Sequence, residues 1–323
     1  VADFRSPGVV AVGASAGGVQ ALTEFVAHLP ADFPYAVLVV LHMPDNGTSA
    51  LSHILHRSGP LPAYSAVDGA PLRAGTVCTA EPGHHLLEGD GIVVVGTGPT
   101  ESSHRPSINA LFRSVALHSG PRGVAVLLSG VGDDGVDGLT AVQARGGVTI
   151  AQQARDALYP SLPNHAVETV GVDLVLTVAE MGPVLAAMGD RDRPDAVVAP
   201  ADDRLVRENH IATGRIDADI EGDRIGRPSG YVCPDCGGAL LQVGDDHRYR
   251  CRIGHAWTGA ALLDAYDADV DRALSVALRS LHDRAHLAAA MALTGKPEHL
   301  QNRYRRTARE ARRAADVLRS ALR

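Results

Sequence analysis

Val9-Val10-Ala11-Val12-Gly13-Ala14-Ser15-Ala16-Gly17-Gly18 is the stretch whose reading decides the fold. Its first four residues are continuously apolar, as suits a strand covered on both faces of a parallel sheet. The next five give G-x-S-x-G, the spacing of a nucleophile elbow, in which a sharp strand-to-helix turn leaves a serine hydroxyl exposed at the sheet's edge. Leu22, Phe25, Val26 and Leu29 then recur at helical spacing. A phosphate cradle fits less well, because Gly13-x-x-x-Gly17-Gly18 departs from G-x-G-x-x-G. A serine is a weak nucleophile until a histidine takes its proton and a carboxylate orients that histidine. The elbow therefore asks for two partners elsewhere in the chain.

Working outward, residues 36–41, 124–128 and 172–176 are further short aliphatic runs. Helical periodicity appears over Ile108, Leu111, Phe112 and Val115, and again over Val136, Leu139 and Val142, stopping at Gly146-Gly147. A last such pattern covers Val178, Met181, Val184 and Leu185. Residues 86–96 instead read as a hairpin, with Glu88-Gly89-Asp90-Gly91 as its polar turn. The predicted fold is a doubly wound α/β domain, its sheet mostly parallel with an antiparallel edge hairpin. A small zinc module and C-terminal helices follow. The expected divisions are a catalytic domain over 1–189, a linker or loosely packed arm over 190–229 with a short helix near 204–211, a zinc module over 230–259 and a helical hairpin over 260–323.

The two partners are found at equivalent places. His42 follows the 36–41 run, and Asp134 lies in Ser129-Gly130-Val131-Gly132-Asp133-Asp134-Gly135, after the 124–128 run. The carboxyl ends of parallel strands share one edge, so Ser15, His42 and Asp134 can meet there. Ser15 would attack a carbonyl, His42 would serve as base and then acid, and Asp134 would hold the imidazole. The backbone N–H groups of Ala16 and Val131 are the candidate oxyanion donors. Two alternatives stand beside this. α/β-hydrolases run Ser, acid, His, which would make His165 the base, although it does not directly follow a strand. Asp134 alone would also serve as a cap for the helix starting near Val136.

Composition bounds the rest. The 323 residues are 45% hydrophobic, with a net charge of -7 and 4% aromatics. That favours a large soluble core and gives no reason to expect nucleic acid. No apolar run reaches membrane-span length and no signal peptide is legible at the N-terminus, so the expected setting is cytoplasmic. Three of the four cysteines cluster late. Cys233, Cys236, Cys251 and His255 form C-x2-C-x14-C-x3-H, two knuckle-like pairs suited to a closed, structural tetrahedral zinc. No cofactor is expected for catalysis. Cys78 reads as an inert core residue. Residues 262–291 and 300–322 read as two helices. The second carries Arg303, Arg305, Arg306, Arg309, Arg312 and Arg313 beside an apolar side, and it is read as half of a hairpin with a solvated basic face. Docking of an acidic partner, or cover over the catalytic cleft, are the alternatives.

Four segments together resemble the catalytic domain of CheB, the chemotaxis protein-glutamate methylesterase. They are Val-Gly-Ala-Ser-Ala-Gly-Gly at 12–18, Leu-His-Met-Pro at 41–44, Arg-Pro-Ser at 105–107 with Leu-Phe-Arg-Ser-Val-Ala at 111–116, and Leu-Ser-Gly-Val-Gly-Asp-Asp-Gly at 128–135. The resemblance spans residues 8–188. It implies that Ser15, His42 and Asp134 match the family's triad, and that methylated glutamates on chemoreceptors are hydrolysed, with deamidation of receptor glutamines as a second activity. Chemotaxis-type methyltransferases or kinases are the further partners it implies. Tyr-Arg-Cys-Arg-Ile-Gly-His-Ala-Trp at 249–257 resembles a zinc-binding tail of stand-alone CheB-like proteins, and the chain is expected to be such a protein, without a receiver domain. Three departures bear on the groove. Asp133 stands where the family has Asn, and is expected to raise the pKa of His42 or Asp134 or to repel an acidic receptor segment. Asn109 replaces a frequent Asp, and Asp45-Asn46-Gly47-Thr48 lacks the usual Pro-Gly-Phe-Thr. A signalling scaffold, and a serine hydrolase of another ester or amide, are the competing readings.

Overall fold

The computed structural model describes residues 8–45, 47–189, 200–215, 226–244, 247–293 and 297–321. The chain divides into two compact units, residues 1–261 and 262–323.

The first unit is built on a seven-stranded sheet in the order β3-β4-β2-β1-β7-β8-β9. These strands are Val9–Ala14 (β1), Ala36–Leu41 (β2), Ala63–Ser65 (β3), Thr76–Thr79 (β4), Gly123–Leu127 (β7), Val148–Gln152 (β8) and Leu174–Leu176 (β9). Every pairing in it is parallel. The apolar run at 9–12 is continuous because both its faces are covered. Val10, Val12 and Ala14 pack into one core with Leu22, Phe25, Leu51 and Met181. Val9 and Ala11 pack on the other side with Ile108, Phe112, Leu139 and Leu162. The helices responsible are Gly18–Ala27 (α1), Leu51–Ser58 (α2) and Val178–Gly189 (α6) on the first face, with Ile108–His118 (α3), Val136–Ala144 (α4) and Ser161–Val170 (α5) on the second.

The hairpin predicted over 86–96 forms, as His85–Glu88 (β5) against Val93–Gly96 (β6). It is a separate two-stranded ladder and not an edge of the central sheet, whose outer positions are held by β3 and β9. The short helix expected near 204–211, within the predicted arm over 190–229, forms. Asp203–Thr213 (α7) is capped by the Asp202 carboxylate, which accepts from Leu205 N at 2.6 Å, and it buries Leu205, Ile211 and Ala212. Residues 190–199 and 216–225 of that arm lie outside the described residues.

A four-stranded antiparallel sheet follows, in the order β10-β11-β12-β13, from Arg227–Val232 (β10), Ala239–Val243 (β11), Arg248–Cys251 (β12) and Ala256–Thr258 (β13). It belongs to the first unit. In the second unit, the helices Gly259–Leu293 and Glu298–Ala321 bury mainly alanines: Ala285, Ala288 and Ala292 on one, Ala308, Ala311 and Ala315 on the other. Arg319 donates to His282 at 2.9 Å, joining the end of the second helix to the later part of the first. Among the described residues no helix is long and apolar enough to cross a membrane.

Candidate active site

The chain reverses its direction of travel across the sheet at β1, which pairs with β2 on one side and β7 on the other. The crevice outside the carboxyl ends of such strands is where open α/β sheets bind ligands. Ser15 follows β1 directly, His42 follows β2 directly, and Asp134 lies in the loop after β7.

Two glycines make the elbow possible. Gly17 adopts φ +73° as the cap of α1, a left-handed conformation that favours glycine. A Cβ on Gly13 would lie 2.2 Å from Ile108 Cγ2, so only glycine lets α3 approach β1 so closely. The loop at 129–135 closes over the same spot. Ser15 N donates to Ser129 O at 2.9 Å, and Ser129 Oγ donates to Ala16 O at 2.9 Å.

The structure brings Ser15, His42 and Asp134 together. His42 Nδ1 lies 3.1 Å from Ser15 Oγ, and His42 Nε2 lies 2.7 Å from Asp134 Oδ2. His165 lies on α5, and it is His42 that bridges the serine and the carboxylate. Asp134 caps a helix, though not the one its position in sequence suggests. Its carboxylate accepts from Ile108 N at 2.6 Å, Asn109 N at 3.0 Å and Ser107 Oγ at 3.0 Å, all at the start of α3. Asn109 returns the favour to α4, where its Oδ1 accepts from Gly135 N at 3.0 Å and Gly138 N at 2.7 Å. The two helix starts are thus capped reciprocally, and Asp134 sits at the positive end of α3.

The pKa of Asp134 lies below its ordinary value, not above it as expected with Asp133 next in sequence. Burial alone would raise that carboxyl, but hydrogen bonding from His42, the charges of His42 and His104, and the Asn109 N–H outweigh it and hold Asp134 well below the usual carboxylate range. Asp133 itself is buried, and its Oδ2 accepts a short hydrogen bond from Thr258 Oγ1. Of the candidate oxyanion donors, Ala16 stands beside Ser15, half-buried, and Val131 is 51% exposed. The Gly130 backbone just before Val131 passes so close that a Cβ there would lie 2.9 Å from Ser15 Cβ. An apolar groove of about 210 Å³ is lined by Val19, Leu41, Met43, Pro44, Leu51 and Ile54 among others, so the sequence neighbours of His42 contribute to it. Asn46 lies outside the described residues.

Two histidines that sequence reasoning did not single out complete the surroundings. His104 stacks on His42, with ring centroids 3.6 Å apart and planes within 13°. Burial, ahead of the His42 charge, lowers the His104 pKa below the ordinary imidazole value. It is carried by a tight turn in which Glu101 and His104 exchange backbone hydrogen bonds of 3.1 and 2.8 Å, with Ser102 and Ser103 at φ 47° and 63°. His85 is buried, its Nε2 facing Pro99 O at 2.9 Å and its Nδ1 accepting from Ser107 N at 3.2 Å. The one sequence signal for His104 is its place just before Arg105-Pro106-Ser107.

The ligand atoms of Cys233, Cys236, Cys251 and His255 lie within 4.8 Å of one another. Three edges of the cluster measure 3.7 Å (Cys233 Sγ to His255 Nδ1), 3.7 Å (Cys236 Sγ to Cys251 Sγ) and 3.5 Å (Cys251 Sγ to His255 Nδ1). A tetrahedral centre with metal–sulfur bonds of about 2.3 Å has ligand edges of about 3.7 Å, so the four can hold such an ion. The Cys233 and Cys251 thiols share a hydrogen bond that lowers the first and raises the second, so without a metal one proton is held between them. Cys78, on β4, is buried, and that burial pushes its thiol up to about 12, as befits an inert core residue.

The fold and this geometry define a class: an open parallel α/β domain with Ser, His and Asp side chains in hydrogen-bond reach of one another at its carboxyl edge. The family model for CheB methylesterase matches residues 10–185, more than half of the chain, and the chain belongs to that family. The protein-glutamate methylesterase/protein-glutamine glutaminase 6 of Anaeromyxobacter dehalogenans is 42% identical over 176 residues, covering 52% of this chain and 50% of that protein. Its counterpart in Caldanaerobacter subterraneus is 38% identical over 184 residues, covering 55% and 50%. The chain spans about half the length of the curated relatives it matches. The crystal structure of the Thermotoga maritima CheB methylesterase catalytic domain superposes with a TM-score of 0.55 at 27% identity, covering 57% of this chain and all of that one.

Proposed function

We propose that the first unit is a protein-glutamate methylesterase acting on methylated chemoreceptors through Ser15, His42 and Asp134. The observation that carries this reading is the single imidazole bridging a serine hydroxyl and a buried, helix-capping carboxylate. Ser15 Oγ attacks the ester carbonyl carbon while its proton passes to His42 Nδ1. Asp134 holds the opposite N–H and stabilises the imidazolium. The N–H groups of Ala16 and Val131 receive the developing oxyanion. His42 then protonates the departing methoxide oxygen, methanol leaves, and a glutamyl ester of Ser15 remains. Water gives its proton to His42 and attacks that ester, releasing glutamate and the serine. Glutamine deamidation follows the same course with ammonia as the leaving group.

Zinc is the metal we assign to Cys233, Cys236, Cys251 and His255. Four protein ligands leave no open position for chemistry, so its part is to stabilise the β10–β13 module. None of the four cysteines is in a disulfide, which suits a reducing, cytoplasmic setting.

The test is methanol release from methylated receptor by the purified protein and by Ser15→Ala. Release by the wild type alone supports the reading. Labelling of Ser15 by a serine-reactive probe without methanol release would instead favour a hydrolase of another ester.

A further inference from the structure

The four-stranded cysteine module does not merely follow the esterase domain in sequence. It lies against two of the loops that shape the site. Asp235, between the ligand cysteines Cys233 and Cys236, accepts from Thr100 Oγ1 at 2.7 Å and from Ser103 Oγ at 2.9 Å. Ala256, directly after the ligand His255, accepts from Ser102 N at 2.7 Å and donates to Thr100 O at 3.2 Å. These contacts hold Thr100, Ser102 and Ser103 of the turn that carries His104 onto His42. That turn needs gripping, because Ser102 and Ser103 hold left-handed backbone without the help of glycine. A third contact, from Thr258 at the end of β13, falls on Asp133, the neighbour of Asp134. Beneath the turn, Glu101 forms a buried ion pair with Arg113 of α3 and lies 4.0 Å from Arg250 of β12.

We propose that the cysteine module is a positioning element of the esterase site: through Asp235 and Ala256 it fixes the 100–104 turn so that His104 is stacked on His42, and through Thr258 it fixes Asp133 beside Asp134. The proposal rests on the triad reading above. The stacked ring restrains His42 from rotating away from the line between Ser15 and Asp134. A module of this size draws much of its folding energy from its metal, so metal occupancy becomes a condition for a well-aligned relay. Asp235 is exposed, so its hydrogen bonds compete with water and contribute little to overall stability. Its role is therefore separable from folding.

The experiment compares the full chain with Asp235→Ala, Asp235→Asn, Thr100→Val and Ser103→Ala. The last two remove the same bonds from the opposite side and leave every residue of the module in place. Three readouts are taken: methanol release, the rate at which a small fluorophosphonate labels Ser15, and the imidazole NMR signals of His42 and His104. Misplacing a catalytic group by an ångström can cost a hundredfold, and a partial loosening of the turn is expected to cost about tenfold in both labelling and kcat, with KM unchanged. Asp235→Asn, which keeps an acceptor, should fall between. Zinc content should stay at one per chain in these variants, and the His104 signal should move. Stripping the metal with a chelator should reproduce the loss of labelling, and added zinc should restore it. Unchanged labelling and unchanged ring signals in Asp235→Ala and Ser103→Ala overturn the inference. So does a loss confined to receptor turnover with probe labelling intact, which would make the module a receptor-docking surface. A wild-type protein inert to ester and probe, but with ring signals that still move in Asp235→Ala, overturns the esterase reading and not this one.

Discussion

Replacing Asp134 with Asn removes one charge and turns one acceptor oxygen into a donor. Both oxygens are in use: Oδ2 accepts from His42 Nε2 and Ile108 N, and Oδ1 accepts from Ser107 Oγ and Asn109 N. Whichever way the amide is turned, its NH2 faces a backbone N–H at the start of α3. A buried donor meeting a donor costs about 1–3 kcal/mol, and losing a negative charge at a helix start adds about 1 kcal/mol. Asp134→Asn is therefore expected to lose roughly 2–4 kcal/mol in urea unfolding near neutral pH. The folded carboxyl is held below its ordinary value of 3.8, so its contribution is present above that value and is lost as the pH falls through the folded pKa. The gap between wild type and variant should close accordingly in acid. If the amide NH2 turns towards His42, Nε2 must become the acceptor and Nδ1 must carry the proton. That leaves no base facing Ser15, and the loss in kcat approaches about ten-thousandfold. The opposite rotamer keeps the tautomer but loses the charge that stabilises the imidazolium, for a loss of about a hundredfold. A kcat within tenfold of wild type, measured as methanol release, would refute the reasoning.

Glu88 is pushed up to about 8 by burial, against the hydrogen bonds from Ser119 Oγ to both its oxygens. Its folded pKa lies above the ordinary 4.5, so stability should be full below that value and decline as the pH rises through about 8. Glu88→Gln should flatten this decline in thermal melts from pH 5 to 9. Gly13→Ala drives a methyl into Ile108 Cγ2 and is expected to cost about 1–3 kcal/mol, with part recovered by adding Ile108→Ala, in a double-mutant cycle of urea midpoints. Asn109→Asp keeps the acceptor for Gly135 N and Gly138 N and should be tolerated, whereas Asn109→Leu should cost about 1–2 kcal/mol in the same assay.

The strands that carry Ser15, His42 and Asp134 were legible because they are buried on both faces and read as unbroken aliphatic runs. Their carboxyl ends then had to share an edge. β8 was not legible, since Thr149 and Gln152 interrupt the run while their side chains serve hydrogen bonds to Asp173, Ser129 and Asp156. β3 is short and only half-buried, so it offers little pattern. α7 buries just one stripe of a polar segment, so the short helix near 204–211 was legible but its packing through Leu205 was not. The partners of Asp134 and Asp133 were hidden for a different reason. Their nearest helix in sequence is α4, but the backbone groups that Asp134 caps belong to α3, and the hydroxyl that Asp133 meets lies in β13. Nothing local encodes those distances. His104 was missed because its turn uses Ser102 and Ser103 in place of the glycine or asparagine that marks left-handed backbone.

The central claim is that Ser15 carries the glutamyl group during hydrolysis, and its most direct test is hydrolysis of a methylated receptor segment in water enriched in heavy oxygen. The account predicts that label enters the glutamate carboxylate, that methanol leaves unlabelled, and that Ser15→Ala lowers the rate by about a thousandfold or more. Label in the methanol, or turnover that survives Ser15→Ala, would contradict it.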